Sequence, residues 1–363
     1  MTGGTSASAD ARWMARALQL AERGRTGTHP NPRVGCVLVH GDIVVGEGWH
    51  QRAGEPHAEV HALRMAGARA RGTTAYVTLE PCSHHGRTPP CADALIDAGV
   101  AEVVVALEDP NPEVAGRGLR RLSEAGVKVR LGCLEGPARA LNRGFLSRMQ
   151  RGRPWLTVKL AASLDGRTAL ANGASQWITG EAARADVHRQ RAEAGAVMVG
   201  AATVLADNPR LNVRPPAQTQ RPPDRIVLDT RGEVPAGARV WSDDGARRIW
   251  ITSGDHAAPA GVEHWELPRA ADGRLDLASV LTRLGAAGVN HVLAEPGPRL
   301  AGTLLSQRLA DELVVYLAPQ LLGDAARGLA ALPALAQLDQ APRLRWTDVR
   351  QVGADLRLTA AFT

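Results

Sequence analysis

At 363 residues the chain is longer than the roughly 250–300 at which a single hydrophobic core stops growing, so two domains are the default. Hydrophobic residues make up 44 % of it, yet no run of about 18 apolar residues could span a membrane, and residues 1–10 lack the basic and apolar regions of a secretory signal. No membrane partner and a cytoplasmic location are therefore expected. The net charge of +6 could suit nucleic acid, but the basic residues are scattered and the only aromatics are eight Trp, two Tyr and two Phe, so no nucleic-acid partner is expected. The cationic excess is almost all arginine, Lys128 and Lys159 being the only lysines, and arginine forks suit phosphate groups on small ligands. Of four cysteines, Cys36 in an apolar run and Cys133 at a strand end read as buried thiols rather than a disulfide framework, as in a reducing compartment.

In chain order, helical apolar spacing covers residues 9–23, and strands at 34–39 and 43–46 flank a His40-Gly41-Asp42 turn as a hairpin. A helix over 55–70 carries His57-Ala58-Glu59, a β-rich strand over 74–79 runs into Pro81-Cys82, and a helix over 92–98 begins beside Cys91. A strand at 103–107, a helix at 117–125 and a strand at 127–131 continue the alternation, which predicts an α/β domain built as a three-layer α/β/α sandwich. A connecting helix over 137–148 and the breaker Arg151-Gly152-Arg153-Pro154 place the boundary near 150, giving domains 1–150 and 151–363. Beyond it we expect strands at 155–160, 196–199, 226–228, 249–252 and 291–294, helices at 181–193, 275–287 and 300–309, and a closing hairpin over 344–363 split at Gly353. That alternation also allows a Rossmann fold, although no Gly-x-Gly-x-x-Gly is present.

The chemistry is densest in the first half. His57, Cys82 and Cys91 supply one imidazole and two thiolates, leaving a tetrahedral Zn2+ one open position for water, whose pKa the metal lowers from about 15.7 toward about 7. Glu59, two residues past the first ligand, is displaced around the helix from the coordination site and can carry protons between the water, a ring nitrogen and departing ammonia. Two other readings compete. His61, one helical turn from His57, could close a structural zinc site and leave no water. The segment His57-Ala58-Glu59-Val60-His61 also approaches a zincin motif, but there Glu must follow the first His directly, and Ala58 stands in that place. We read His61 as an ordinary helix-face residue.

The stretch Pro81-Cys82-Ser83-His84-His85-Gly86-Arg87-Thr88-Pro89-Pro90-Cys91, with Asn31-Pro32-Arg33-Val34-Gly35 and Asp109-Pro110-Asn111-Pro112, resembles the riboflavin-pathway branch of the cytidine deaminase superfamily. Most members of that superfamily separate the two cysteines by two residues; here eight intervene. Further on, Ser163-Leu164-Asp165-Gly166-Arg167, Ser175-Gln176-Trp177-Ile178-Thr179 and Ala202-Thr203-Val204-Leu205-Ala206-Asp207-Asn208-Pro209 resemble the reductase fused to that deaminase. The resemblance runs from about residue 10 to the C-terminus. It implies a cytidine-deaminase-like N-terminal domain and a C-terminal dihydrofolate-reductase-like α/β domain, its mostly parallel sheet closed by an antiparallel edge. It also implies a homo-oligomer, dimer or tetramer.

By that resemblance a phosphorylated diaminopyrimidinone is deaminated, and its ribosyl group is then reduced to ribityl by NADPH. Asn31, His50, Arg87, Asp109 and Asn111 should read the pyrimidine and its ribose phosphate. Ala161, Trp177, Thr203, Asp207, Thr230 and Gly297 should line the NADPH site, and Ser175, Arg191, Leu211, Arg214 and Glu295 should contact the deaminated product. Taken singly, Trp177 would be a core aromatic, Asp207-Asn208-Pro209 a turn and Arg191 a solvated helix charge. Lys159 stands out physically, because an ammonium on the apolar strand Trp155-Leu156-Thr157-Val158-Lys159-Leu160 needs an anion or a reacting group beside it; with Glu295 it is expected to act in catalysis. One departure is Glu295-Pro296-Gly297-Pro298, whose prolines remove amides that a phosphate could have used. The alternatives are a nucleobase deaminase fused to an unrelated reductase, against which the wide Cys82–Cys91 spacing speaks, and a zinc-stabilised binding module without turnover.

Overall fold

The computed structural model describes residues 3–83, 90–112 and 114–362. The chain divides into two compact units, Met1–Gly152 and Arg153–Thr363.

The first unit runs α1 (Gly3–Glu22), β1 (Gly35–His40), β2 (Ile43–Trp49), α2 (Ala58–Ala66), β3 (Thr74–Val77), α3 (Cys91–Asp97), β4 (Glu102–Val105), α4 (Arg117–Glu124), β5 (Lys128–Leu131), α5 (Glu135–Leu141) and α6 (Arg143–Arg151). The strands form one sheet in the order β2-β1-β3-β4-β5, antiparallel across β2-β1-β3 and parallel across β3-β4-β5. Two-residue alternation sorts its side chains onto two covered faces. Cys36, Leu38, Ala75, Val77, Val103 and Val105 pack with α2, α3 and α4, while Val37, Val39, Tyr76 and Val104 pack with α1, α5 and α6. This is the expected three-layer sandwich. Its second layer is tight where the site is built: a Cβ on Gly48 of β2 would stand 2.3 Å from the Ala58 carbonyl of α2, so only glycine lets that helix approach so closely.

Three local expectations change. The helix of 55–70 starts at Ala58, after Pro56, and its last turn, Gly67–Ala70, is a 3₁₀ turn. The single helix of 137–148 is two, broken at Asn142, whose buried amide pairs with the Arg33 backbone (N–H to Oδ1 2.8 Å, Nδ2 to carbonyl 2.9 Å). Cys36 is fully buried, but Cys133 is only half-buried.

The second unit contains β6 (Trp155–Ser163), β7 (Arg167–Ala169), α7 (Glu181–Glu193), β8 (Ala196–Gly200), α8 (Ala201–Asp207), β9 (Asp224–Leu228), β10 (Arg248–Thr252), β11 (Glu263–Glu266), α9 (Leu277–Ala286), β12 (His291–Ala294), α10 (Pro298–Ser306), β13 (Glu312–Ala318), β14 (Arg327–Gly328), β15 (Leu344–Val352) and β16 (Asp355–Phe362). Nine strands form one sheet, β11-β10-β9-β8-β12-β6-β13-β16-β15. It is parallel from β11 to β13 and closed by the antiparallel β16 and β15. One face buries Leu156, Val158, Met198, Ile226, Ile249 and Val292 under α9 and α10. The other buries Val197, Val199, Val227 and Trp250 with Val204 of α8, and Val314 and Tyr316 with Ala183 and Val187 of α7. Strand β13, which the sequence reading passes over, lies between β6 and the hairpin. No helix among the described residues is long and apolar enough to cross a membrane.

Candidate active sites

In each unit the chemistry-bearing residues gather beyond the carboxyl ends of parallel strands, where open α/β sheets bind ligands. In the first, β3 leads into Glu80-Pro81-Cys82 and β4 into Asp109-Pro110-Asn111. His57 caps α2, which places Glu59 in its first turn, and Cys91 opens α3.

The His57 Nδ1, Cys82 Sγ and Cys91 Sγ atoms all lie within 4.8 Å of one another, and no other such group of His, Cys, Asp or Glu occurs among the described residues. His57 Nδ1 is 3.6 Å from Cys82 Sγ and 3.3 Å from Cys91 Sγ. These separations suit three ligands about 2.0–2.3 Å from one tetrahedral ion. The Cys91 N–H donates to Cys82 Sγ at 3.3 Å. The Cys91 thiol, opposed by burial and helped by His57, pulls Cys82 down to the thiolate range, and the proximity of Cys82 holds Cys91 up. One negative charge is thus shared by two sulfurs, and a dication would claim both. His61 is not part of the cluster; burial lowers its pKa. Among the described residues the site therefore offers three protein ligands, as an open catalytic zinc site does.

Glu59 is 3 % exposed and its Oε2 has no hydrogen-bond partner. Burial pushes its carboxyl up to about 7, against the attraction of His57. A carboxyl in that range near neutral pH can both take and return a proton. Glu59, His57 and Cys82 line a cavity of about 510 Å³ with Asn31, His50, Asp109 and Asn111. His50 Nδ1 faces the Pro56 carbonyl at 3.2 Å, which assigns the proton to Nδ1 and lets Nε2 accept from Asn31 Nδ2 at 3.2 Å. Burial lowers the His50 pKa and keeps the ring neutral. Four of the five expected pyrimidine contacts thus share one cavity with the metal cluster; Arg87 lies outside the described residues.

In the second unit a cavity of about 790 Å³ is lined by Lys159, Ala161, Ser175, Thr203, Asp207, Thr230, Glu295 and Gly297, all expected site residues. Lys159 projects from β6, while the others that follow strands come from the ends of β8, β9 and β12. Burial lowers the Lys159 pKa, and Glu295 acts against that shift. Arg274, Arg299 and Arg327 also line the cavity, beside the first turn of α10, whose amide end favours anions. Cations and a helix N-terminus around the cavity fit the phosphates of a dinucleotide. Pro298 is the first residue of α10, where a missing N–H is not needed by the helix.

Other expectations fall differently. Trp177 is not a core aromatic: it is 65 % exposed, with the Arg184 guanidinium 4.7 Å from its ring centroid. Arg191 is not a solvated charge but is paired with Glu295. The Leu211 side chain is 2 % exposed and packs into the core, so only its backbone can face a ligand, and Arg214 is exposed. The sequence reading missed Glu80 and Arg148 in the first cavity and Arg274, Arg299 and Arg327 in the second. Glu80 carried a signal of the same kind as Lys159, a charge directly after the apolar strand of 74–79; Arg148 carried none, since only folding brings α6 to the cavity.

Fold and sites together define a zinc-site deaminase joined to an α/β reductase. Residues 7–107 match the cytidine and deoxycytidylate deaminase zinc-binding region and residues 154–358 the RibD C-terminal domain. The riboflavin biosynthesis protein RibD of Escherichia coli (strain K12) is 53 % identical over 96 % of this chain and 98 % of its own length. That of Bacillus amyloliquefaciens is 42 % identical over 96 % and 95 %. Among solved structures, Acinetobacter baumannii RibD, form 1, superposes with a TM-score of 0.92 at 44 % identity, covering 98 % of this chain and 99 % of that one. A diaminohydroxyphosphoribosylaminopyrimidine deaminase/5-amino-6-(5-phosphoribosylamino)uracil reductase from Thermotoga maritima gives 0.88 at 32 % identity, covering 99 % and 100 %. The chain belongs to the RibD family. It is a bifunctional enzyme of riboflavin biosynthesis, a zinc deaminase and an NADPH-dependent reductase acting on a small molecule.

Proposed function

We propose that residues 1–150 deaminate 2,5-diamino-6-(5-phosphoribosylamino)pyrimidin-4(3H)-one and that residues 151–363 reduce the ribosyl group of the product to ribityl. The observation that carries the first half is the buried, unpartnered Glu59 oxygen in the same cavity as the three-ligand cluster. His57, Cys82 and Cys91 hold zinc, which supplies a Lewis acid that makes water reactive at neutral pH. Glu59 would carry one proton of the attacking water to the ring nitrogen and then the second, from the hydroxyl left on the carbon, to the amine, whose C–N bond breaks to release ammonia. Asn31 and the neutral His50, Asp109 and Asn111 read the pyrimidine and ribose, and Arg87 reads the phosphate.

In the second unit Ala161, Trp177, Thr203, Asp207, Thr230 and Gly297 hold NADPH, the hydride source. Ser175, Arg191, the Leu211 backbone, Arg214 and Glu295 hold the deaminated product. Lys159 and Glu295 flank the ribosylamine carbon, where a cation and a carboxylate assist opening of the sugar ring to an imine. We further propose a cytoplasmic homo-oligomer, a dimer or tetramer. Incubating the protein with the diaminopyrimidinone phosphate, with and without NADPH, tests the scheme by product mass. The deaminated ribosyl compound should accumulate without NADPH and the ribityl compound with it; an unaltered substrate mass in both would refute it.

A further inference from the structure

Glu80 follows β3 by three residues and stands two residues before the zinc ligand Cys82. Its side chain is 4 % exposed, yet it meets no cation among the described residues. Instead four backbone amides converge on it: Gly118 (2.8 Å) and Leu119 (3.3 Å) donate to Oε1, Gly116 (3.0 Å) and Asp109 (3.2 Å) to Oε2. Asp109 in turn accepts the Asn111 N–H at 2.9 Å through Oδ1. The gathered backbone turns through Ala115 at φ +27°, a region non-glycine residues seldom adopt, and Gly116 at φ +76°, where glycine is at ease. Gly118 lies so close to the strand end that a Cβ there would come 2.0 Å from the Pro81 carbonyl.

We propose that Glu80 is a positioning residue of the deaminase, its carboxylate fixing the segment that bears Asp109 and Asn111 at a set distance from the metal-bearing Pro81-Cys82. A carboxylate is suited to this because it only accepts and offers about four lone-pair sites, matching four amide donors. Glutamine is nearly isosteric but turns one accepting oxygen into a donor that faces two amides. The inference rests on Asp109 and Asn111 being substrate contacts, as proposed above.

The test is Glu80→Gln in the full-length zinc enzyme. We expect about one zinc per chain and an unchanged rate of NADPH oxidation on pre-deaminated substrate. The KM for the diaminopyrimidinone phosphate should rise about tenfold or more, with a smaller fall in kcat. Amide hydrogen exchange at Asp109, Gly116 and Gly118 should be slow in the wild type and accelerated in the variant. The wild-type exchange stands even if the variant fails to fold, and fast exchange at those amides overturns the proposal. So does an unchanged KM in a zinc-loaded variant, or a loss confined to kcat and zinc. Asn111→Ala separates the two layers: if it too leaves KM unmoved while wild-type protection is high, the assignment of this segment to substrate has failed rather than the grip of Glu80.

Discussion

Arg191 and Glu295 engage each other with both arms of the guanidinium, Nε to Oε1 at 2.5 Å and Nη2 to Oε2 at 2.9 Å, while Arg191 Nη1 donates to the Asn212 carbonyl at 3.1 Å. Both were expected to touch substrate; folding couples them first. The pair ties α7 to the end of β12 and leaves Lys159 facing a carboxylate that is already partnered.

That pair should be felt in stability. Burial pushes the Glu295 carboxyl up, but the charge and hydrogen bonds of Arg191, with Lys159 and His188, outweigh it and hold it at about 2. Arg191→Ala leaves a buried carboxylate short of its main partner, which costs about 3–5 kcal/mol, toward the lower end because Lys159 remains. At about 2–4 °C per kcal/mol for a domain of this size, the melting transition of the second unit should fall by roughly 6–12 °C in calorimetry at neutral pH. A carboxyl with a depressed folded pKa contributes its stability fully above its unfolded value of 4.5 and loses it as pH falls toward about 2. The gap between wild type and variant should therefore narrow over that window. Coincident melts at neutral pH would show that the pair stabilises nothing.

Glu59→Gln removes the proposed proton carrier and keeps the shape. Zinc should stay near one per chain while deamination falls by about 10²–10⁴-fold, and NADPH oxidation on pre-deaminated substrate should be unaffected. Cys82→Ser acts on the metal instead, because a serine hydroxyl is not readily deprotonated to replace a thiolate, so zinc content itself should fall. Metal analysis beside an ammonia assay distinguishes the two; full deamination by Glu59→Gln would end its assignment as the proton carrier.

The zinc half was legible because its chemistry is local: three ligands and a carboxylate at fixed spacings cannot easily serve anything else. The reductase half was legible mainly by resemblance, since hydride transfer is the cofactor's chemistry and leaves few obligatory side chains. Lys159 was readable on physical grounds, as a cation in an apolar strand. Strand β13 was not, because a continuous apolar run such as Leu313-Val314-Val315-Tyr316-Leu317 has no period to separate buried strand from buried helix. Strand β11, Glu-His-Trp-Glu, is a polar edge that reads as loop.

Asn142 illustrates what only the fold discloses. In sequence it interrupts nothing, yet its side chain makes both bonds to the Arg33 backbone across the first unit and so braces the segment that carries Asn31. Asn142→Ala removes both bonds at a buried site, which should cost about 1–3 kcal/mol. Because Asn31 donates to His50, the deaminase KM should rise several-fold with zinc content unchanged. A variant that is destabilised but has the wild-type KM would confine Asn142 to the fold.

Lys159→Ala should separate the two activities. Lys159 stands on β6 between Val158 and Leu160, both buried, with its Nζ 5.9 Å from the Tyr316 ring centroid and within the field of Glu295. If the ammonium assists opening of the ribosyl ring, its loss should cut NADPH oxidation on pre-deaminated substrate by at least about 10²-fold, the usual loss with an acid–base group. Ammonia release from the diaminopyrimidinone should continue at the wild-type rate. Burial lowers the Lys159 pKa below 10.5, and nearby Glu295 only partly offsets this. A reaction that needs the charged form should therefore lose rate on the alkaline side before an ordinary lysine would titrate, and Lys159→Arg, which stays charged, should flatten that limb even if its peak rate is low. Undiminished NADPH oxidation by Lys159→Ala would reduce Lys159 to a tolerated strand residue; loss of ammonia release as well would contradict the division of labour between the two units.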